Sequence, residues 1–159
     1  MKITLICVGK LKEKYFSMGV MEYSKRLSRY CSLDIIELAD EKTPDHAGDA
    51  IETMIKKKEG ERILKAVKED SYCIALAING KMLTSEELAD KVNSLAITGN
   101  SHISFIIGGS LGLSDEVMER ADFHLSFSKL TFPHQLMRVI LLEQIYRAYK
   151  INHKEPYHK

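Results

Sequence analysis

The sequence predicts an α/β fold, a mostly parallel sheet covered by helices and formed as a single domain over residues 1–159. Three observations lead there. Short β-rich runs alternate with helix-like segments along the whole chain. Two of those runs, Tyr72 to Ile78 and Ile103 to Ile107, are apolar at nearly every position, as strands covered on both faces are. Glycine-bearing turns at Gly9, Gly80 and Gly108 each follow an apolar run, where a strand gives way to a loop.

The elements follow in order. Lys2 to Val8 is the first strand, and Gly9-Lys10 ends it. From Leu11 a helix follows, because Phe16, Val20, Tyr23, Leu27 and Tyr30 recur at spacings of four and three and so share one face. Leu33 to Leu38 is the second strand. Asp40 to Gly48 is a polar loop in which Thr43-Pro44-Asp45 disfavours helix. Asp49 is placed to cap a helix running to about Val67, whose Lys56-Lys57-Lys58 reads as a solvated face. Tyr72 to Ile78 is the third strand, closed by Asn79-Gly80. Thr84-Ser85-Glu86-Glu87 supplies a cap and an acidic first turn for a helix through about Ala96. Ile103 to Ile107 is the fourth strand. Ser114 caps a short helix, and Phe123 to Phe127 is the fifth strand. His134 to about Lys150 is the last helix. It is apolar nearly all round, so it needs partners on two sides, from one chain or from a second subunit in a twofold dimer.

Composition narrows the class. Apolar residues make up 45% and charged residues 28%, ordinary values for a globular protein. No apolar run is long enough to span a bilayer, and the N-terminus reads as a strand and not a signal peptide, so a cytoplasmic protein without a membrane partner is expected. The three cysteines, Cys7, Cys31 and Cys73, lack metal or redox spacing and read as small buried residues. Net charge is +1, but residues 1–128 hold 17 basic and 20 acidic side chains while residues 129–159 hold 6 and 2. Lys10 to Arg29 is also basic, so both ends are positive, and a surface formed where they meet would suit phosphates.

Chemistry concentrates in Ser126 to Arg138, which places hydroxyls, Lys129, His134 and Arg138 around Pro133 between Phe127 and Phe132. Two readings fit it: the lip of a pocket at the strand ends, or a connection whose polar residues only end a strand and start a helix. Gly108-Gly109-Ser110-Leu111-Gly112 is neither G-x-G-x-x-G nor a P-loop, which disfavours dinucleotide enzymes and P-loop NTPases. The six histidines show no H-E-x-x-H pattern, so no metal is expected, and there is no G-x-S-x-G elbow. His134, at a helix start, would be held neutral and able to relay a proton, or would only bond to backbone. Arg138, one turn later, would hold a phosphate or oxyanion, or form an intersubunit ion pair.

Three blocks carry a resemblance to a known family. They are Leu76 to Lys81, Phe105 to Gly112, and Leu125 to Arg138; Met1 to Lys14 and the Tyr157-His158-Lys159 ending also match. On these the chain resembles the SPOUT methyltransferases over essentially its full length, and within them the small RlmH type that methylates N3 of a pseudouridine in 23S ribosomal RNA. The resemblance implies a C-terminal trefoil knot, a homodimer, and S-adenosyl-L-methionine bound at the knot by Leu76, Gly108, Phe127, Ser128, Lys129, Leu130, Thr131 and Phe132. Family members often carry an acidic residue after the leucine of the first block, where this chain has Ala77.

Loss of the N3 proton puts charge on the flanking carbonyls, so the chemistry asks for a proton path and cationic donors. Arg138, Tyr157 and His158 are expected to supply these, with His134 supporting the pocket and the tail acting across the dimer. A chain this small has no room for a separate RNA-binding domain. Its expected substrate is therefore the large-subunit ribosomal RNA within the 70S ribosome. A non-catalytic ribosome-binding factor with a relic pocket, or a methyltransferase for another RNA position, is the alternative.

Overall fold

The computed structural model describes residues 1–159. Five strands, β1 (Lys2–Val8), β2 (Ser32–Leu38), β3 (Tyr72–Met82), β4 (His102–Ile107) and β5 (Phe123–Ser126), form one sheet in the order β2-β1-β4-β3-β5. Every pairing is parallel. Between them run α1 (Lys14–Leu27), α2 (Asp49–Ala66), α3 (Ser85–Ile97) and α4 (Asp115–Arg120), and α5 (His134–Asn152) closes the fold.

Strand alternation divides the core into two layers. Ile3, Leu5 and Cys7 of β1, with Ile103, Phe105 and Ile107 of β4, meet Val20 and Leu27 of α1, Leu88, Val92 and Leu95 of α3, and Leu141, Leu142 and Ile145 of α5. On the opposite face Ile6, Val8, Cys73 and Ile106 meet Ile63 of α2 and Val117 of α4. Strands β1 and β4 are buried on both sides, whereas β2, at the edge, exposes Ser32, Asp34 and Glu37.

The expected elements are present, and the departures have local causes. Helix α1 starts at Lys14, not Leu11, because the backbone N–H of Leu11 donates to Glu37 Oε2 (3.1 Å) and that of Lys12 to Gln135 Oε1 (2.9 Å). Gly48, and not Asp49, is the residue before α2; Asp49 lies in the acidic first turn, where its charge suits the helix dipole. Thr84 and Glu87 form a reciprocal capping box at α3. Strand β3 does not close at Asn79-Gly80 but continues to Met82. Leu76 and Lys81 both register with Leu125, so β3 doubles over the end of β5. A Cβ on Gly80 would lie 2.7 Å from the His124 carbonyl oxygen, which explains why glycine stands there.

Helix α5 buries Arg138, Leu141, Leu142, Ile145, Ala148 and Tyr149 within the single chain. It packs on α1 and α3 over the sheet. The two basic ends of the sequence do meet: Arg26 of α1 lies over the ring of Tyr146 of α5, 5.7 Å from its centroid. Tyr15, Met18 and Met21, three apart along α1, stay largely exposed. No helix is long and apolar enough to cross a membrane.

The close β3–β5 approach makes a testable difference between two glycines. Gly80→Ala forces backbone apart and is expected to destabilise by about 1–3 kcal/mol. Gly48→Ser, in open space before α2, is expected to shift stability by no more than about 0.5 kcal/mol, and to raise it. Urea denaturation of the two variants checks both.

Candidate functional site

Beyond the C-terminal ends of β3, β4 and β5 lies a cavity of about 800 Å³. That size falls in the range of small-molecule sites. Three segments build it. Leu76 to Asn79 come from the doubled end of β3, Ile107 to Leu113 from the glycine turn after β4, and Phe127, Ser128 and Leu130 to His134 from the loop and first residue of α5. The walls are largely apolar, with Ile107, Leu125, Phe127, Phe132 and Met137 among them, and Asp115 is the one acidic side chain in the lining.

Hydrogen bonds fix the shape of the last segment. Ser126 Oγ donates to the carbonyl of Ile78 (2.7 Å), tying β5 to the doubled end of β3. The backbone N–H of Leu130 donates to Ser128 Oγ (2.9 Å), which tightens the loop and leaves Leu130 71% exposed at the rim.

Of the residues singled out in the sequence, Leu76, Gly108, Phe127, Ser128, Leu130, Thr131, Phe132 and His134 line this cavity together. Lys129 is exposed and is not in the lining. Ala77 is part of the lining.

His134 occupies the first turn of α5, with Nε2 facing Gly9, whose φ of +92° demands glycine. Burial, and secondarily the charge of Arg138, hold its imidazole below the ordinary histidine value. Near neutral pH it is therefore unprotonated and able to accept a proton.

Arg138 is 1% exposed and is not in the lining. One guanidinium nitrogen donates to Glu37 Oε2 (2.6 Å) and another to the carbonyl of Gly9 (2.7 Å), within the same chain. Its Nε has no partner. Glu37 is pushed up by partial burial, but Arg138, the Leu11 N–H and Lys10 outweigh that and hold its carboxyl below the usual range.

Tyr157 and His158 are also outside the lining, and they belong to a second polar cluster on α5. Tyr157 donates to Glu143 Oε1 (2.9 Å), and its ring lies under the Arg147 guanidinium, 4.7 Å from the centroid. Glu143 and Arg147 form an i,i+4 ion pair. His158 bonds through Nδ1 to Arg147 (3.2 Å) and through Nε2 to Glu86 (2.8 Å). Burial first, then the bond to Glu143, raises the Tyr157 phenol, so it stays a proton donor. Sequence reading missed Glu143 and Arg147, whose spacing is that of any surface helix pair. At about 1.5 Å per residue, Glu143 stands roughly 13 Å along α5 from His134, so the two clusters are separate within one chain.

Parallel strands with a ligand-sized cavity over the ends of β3, β4 and β5 define an α/β protein whose candidate site lies at its strand ends, the usual place for ligands in this architecture. Comparison narrows that class. A family profile described as "Predicted SPOUT methyltransferase" matches residues 1–158, and the chain belongs to that family. It is 68% identical over 159 residues to a protein of Bifidobacterium adolescentis called ribosomal RNA large subunit methyltransferase H. Proteins of that name from Clostridium novyi and Clostridioides difficile are 67% and 62% identical. In all three, the match covers 100% of both chains.

The Glu37–Arg138 pair predicts a pH-dependent stability. Because the Glu37 pKa is depressed, its contribution is complete above the ordinary carboxylate value and is lost as pH falls through the lower folded value. Glu37→Gln should therefore flatten the acid side of the stability–pH curve. Glu37→Ala, which strands the buried guanidinium, should cost about 3 kcal/mol at neutral pH. Urea titrations over a pH series measure both effects.

Proposed function

We propose that this chain is an S-adenosylmethionine-dependent methyltransferase acting on N3 of a pseudouridine in large-subunit ribosomal RNA, as a homodimer, with the assembled ribosome as its substrate. The observation that carries the reading is the strand-end cavity, whose segments are those that match the SPOUT pattern. Its contents fit the cofactor. Apolar walls suit adenine, glycines at 108 and 109 bring backbone to the surface, and Asp115 as sole acid in the lining suits a cation. The relatives' names supply the ribosomal RNA.

When bound, the cofactor supplies an electrophilic methyl group on a sulfonium. Leu76, Gly108 and Phe127 to Phe132 would hold it, with Lys129 at the outer edge of that loop. The doubled end of β3 around β5 is where the family's trefoil knot would lie. His134 takes or relays the N3 proton. Arg138 works through His134, by fixing the start of α5 on the strand ends. Positioning of this kind supplies much of the acceleration in an in-line transfer.

Tyr157, His158 and Arg147 are the tail cluster's N–H and O–H donors, and we infer that they turn from Glu143 and Glu86 to the carbonyl oxygens that gain charge as N3 loses its proton. Because this cluster lies well along α5 from its own cavity, it serves the cavity of the second subunit. The exposed row Tyr15, Met18 and Met21 offers apolar area for such an interface.

Two outcomes are expected. Deleting Tyr157 to Lys159 should abolish methyl transfer while cofactor affinity, read by calorimetry, is retained; full activity in the shortened chain would overturn the role of the tail. Ribosomal RNA from a deletion strain should lack one methyl group by mass spectrometry and regain it when the protein and labelled cofactor are added to its ribosomes. RNA identical in the two strains would favour a non-catalytic ribosome-binding factor.

A further inference from the structure

The end of α5 is an unusual helix stop. The N–H of Glu155 donates to the carbonyl of Lys150 and that of Lys154 to the carbonyl of Ile151, both at 3.0 Å. This is the paired bonding of a Schellman turn, in which the residue that reverses the chain adopts left-handed backbone. Glycine usually fills that place. Here it is Lys154, at φ +54°. The apolar contact that commonly closes such a turn is also replaced, since residue 155 is a glutamate facing Lys150.

Glu155 Oε2 accepts from Lys150 Nζ and from Tyr30 Oη, each at 2.6 Å. Tyr30 lies just past α1, 125 residues away, and is itself fixed by stacking on Tyr149 (5.6 Å, 17°) and by edge contacts with Tyr146 and His153. These bonds pull the Glu155 carboxyl down to about 2, Lys150 contributing most and Tyr30 next, so the carboxylate is charged at any physiological pH. Two residues further on, Tyr157 packs edge-on against Tyr146 (4.9 Å). The chain between is Pro156, whose backbone has little freedom.

We propose that Glu155, gripped by Tyr30 and Lys150, is the positioning residue of the tail, holding a strained turn that aims Tyr157 and His158 back along α5. The proposal rests on the reading that the tail takes part in methyl transfer. Without the grip, only the two backbone bonds hold the left-handed lysine, and the last residues lose the side-chain anchor that precedes Tyr157 and His158. The clamp touches neither cofactor nor RNA; it acts through Tyr157 and His158.

The test uses the full-length chain and ribosomes lacking the methyl group. Glu155→Ala is expected to slow single-turnover transfer about tenfold to a hundredfold, as a misplaced group would, with cofactor affinity unchanged within about twofold. Carboxypeptidase B should release Lys159 faster from the variant at an unchanged melting temperature, a local loosening that a general loss of stability would not give. Tyr30→Phe keeps the ring packing and removes one bond to Glu155, so it should show the same changes to a lesser degree even if Glu155→Ala folds poorly. The chain lacking Tyr157 to Lys159 is assayed alongside. Wild-type transfer by Glu155→Ala and Tyr30→Phe, with the shortened chain inactive, overturns the clamp and leaves the tail reading intact. Full transfer by the shortened chain overturns both.

Discussion

Burial of one guanidinium sets the geometry of the candidate site. Removing Arg138 from water costs several kcal/mol in general, and the cost is offset only if its partners are placed well. Those partners are the carbonyl of Gly9 after β1 and the carboxylate of Glu37 near the end of β2. Glu37 also accepts from Leu11, so the loop into α1 belongs to the same arrangement. Two strand ends, a loop and the first turns of α5 are thereby held in one relation. His134, one turn before Arg138, is brought to the cavity wall as a result.

From that fixed start, α5 links the two polar clusters. Its middle is anchored by Leu141, Leu142 and Ile145, all fully buried against the sheet, α1 and α3. A helix packed that tightly does not shift one end without the other. The cavity at its start and the Glu143–Arg147–Tyr157–His158 cluster further along therefore keep a set separation. In the proposed dimer this makes α5 a spacer, and the twofold axis brings one chain's tail to the other chain's cavity.

The fold was legible where the signal is local. Continuous apolar runs marked β3 and β4, Thr84 and Glu87 announced α3, and Ser114 announced α4. The extension of β3 to Met82 was hidden, because it depends on pairing with β5 more than forty residues later. At the site, Leu76, Gly108 and most of Phe127 to Phe132 were recognisable as strand-end residues or through the family pattern. The partners of Arg138 were not. Glu37 looks like an ordinary polar position on an edge strand, and an acceptor such as the Gly9 carbonyl has no sequence signature at all. Glu143 and Arg147 were masked for the opposite reason, since their i,i+4 spacing is common on exposed helices.

The protonation states at the two clusters divide the chemistry between them. At the cavity, burial and the neighbouring Arg138 keep His134 neutral, which leaves it an acceptor. In the tail cluster, Tyr157 holds its proton more firmly than a free phenol and Arg147 is charged but paired with Glu143, so the cluster offers donors. Deprotonating an imide and stabilising the anion that results need an acceptor and donors at once. Groups whose environments push their pKa values apart are suited to such paired roles. One chain holds both kinds of group but keeps them roughly 13 Å apart along a rigid helix. In the proposed reaction the two kinds of group must meet at one base, and that requirement is the strongest reason for proposing that two copies of the chain share each site.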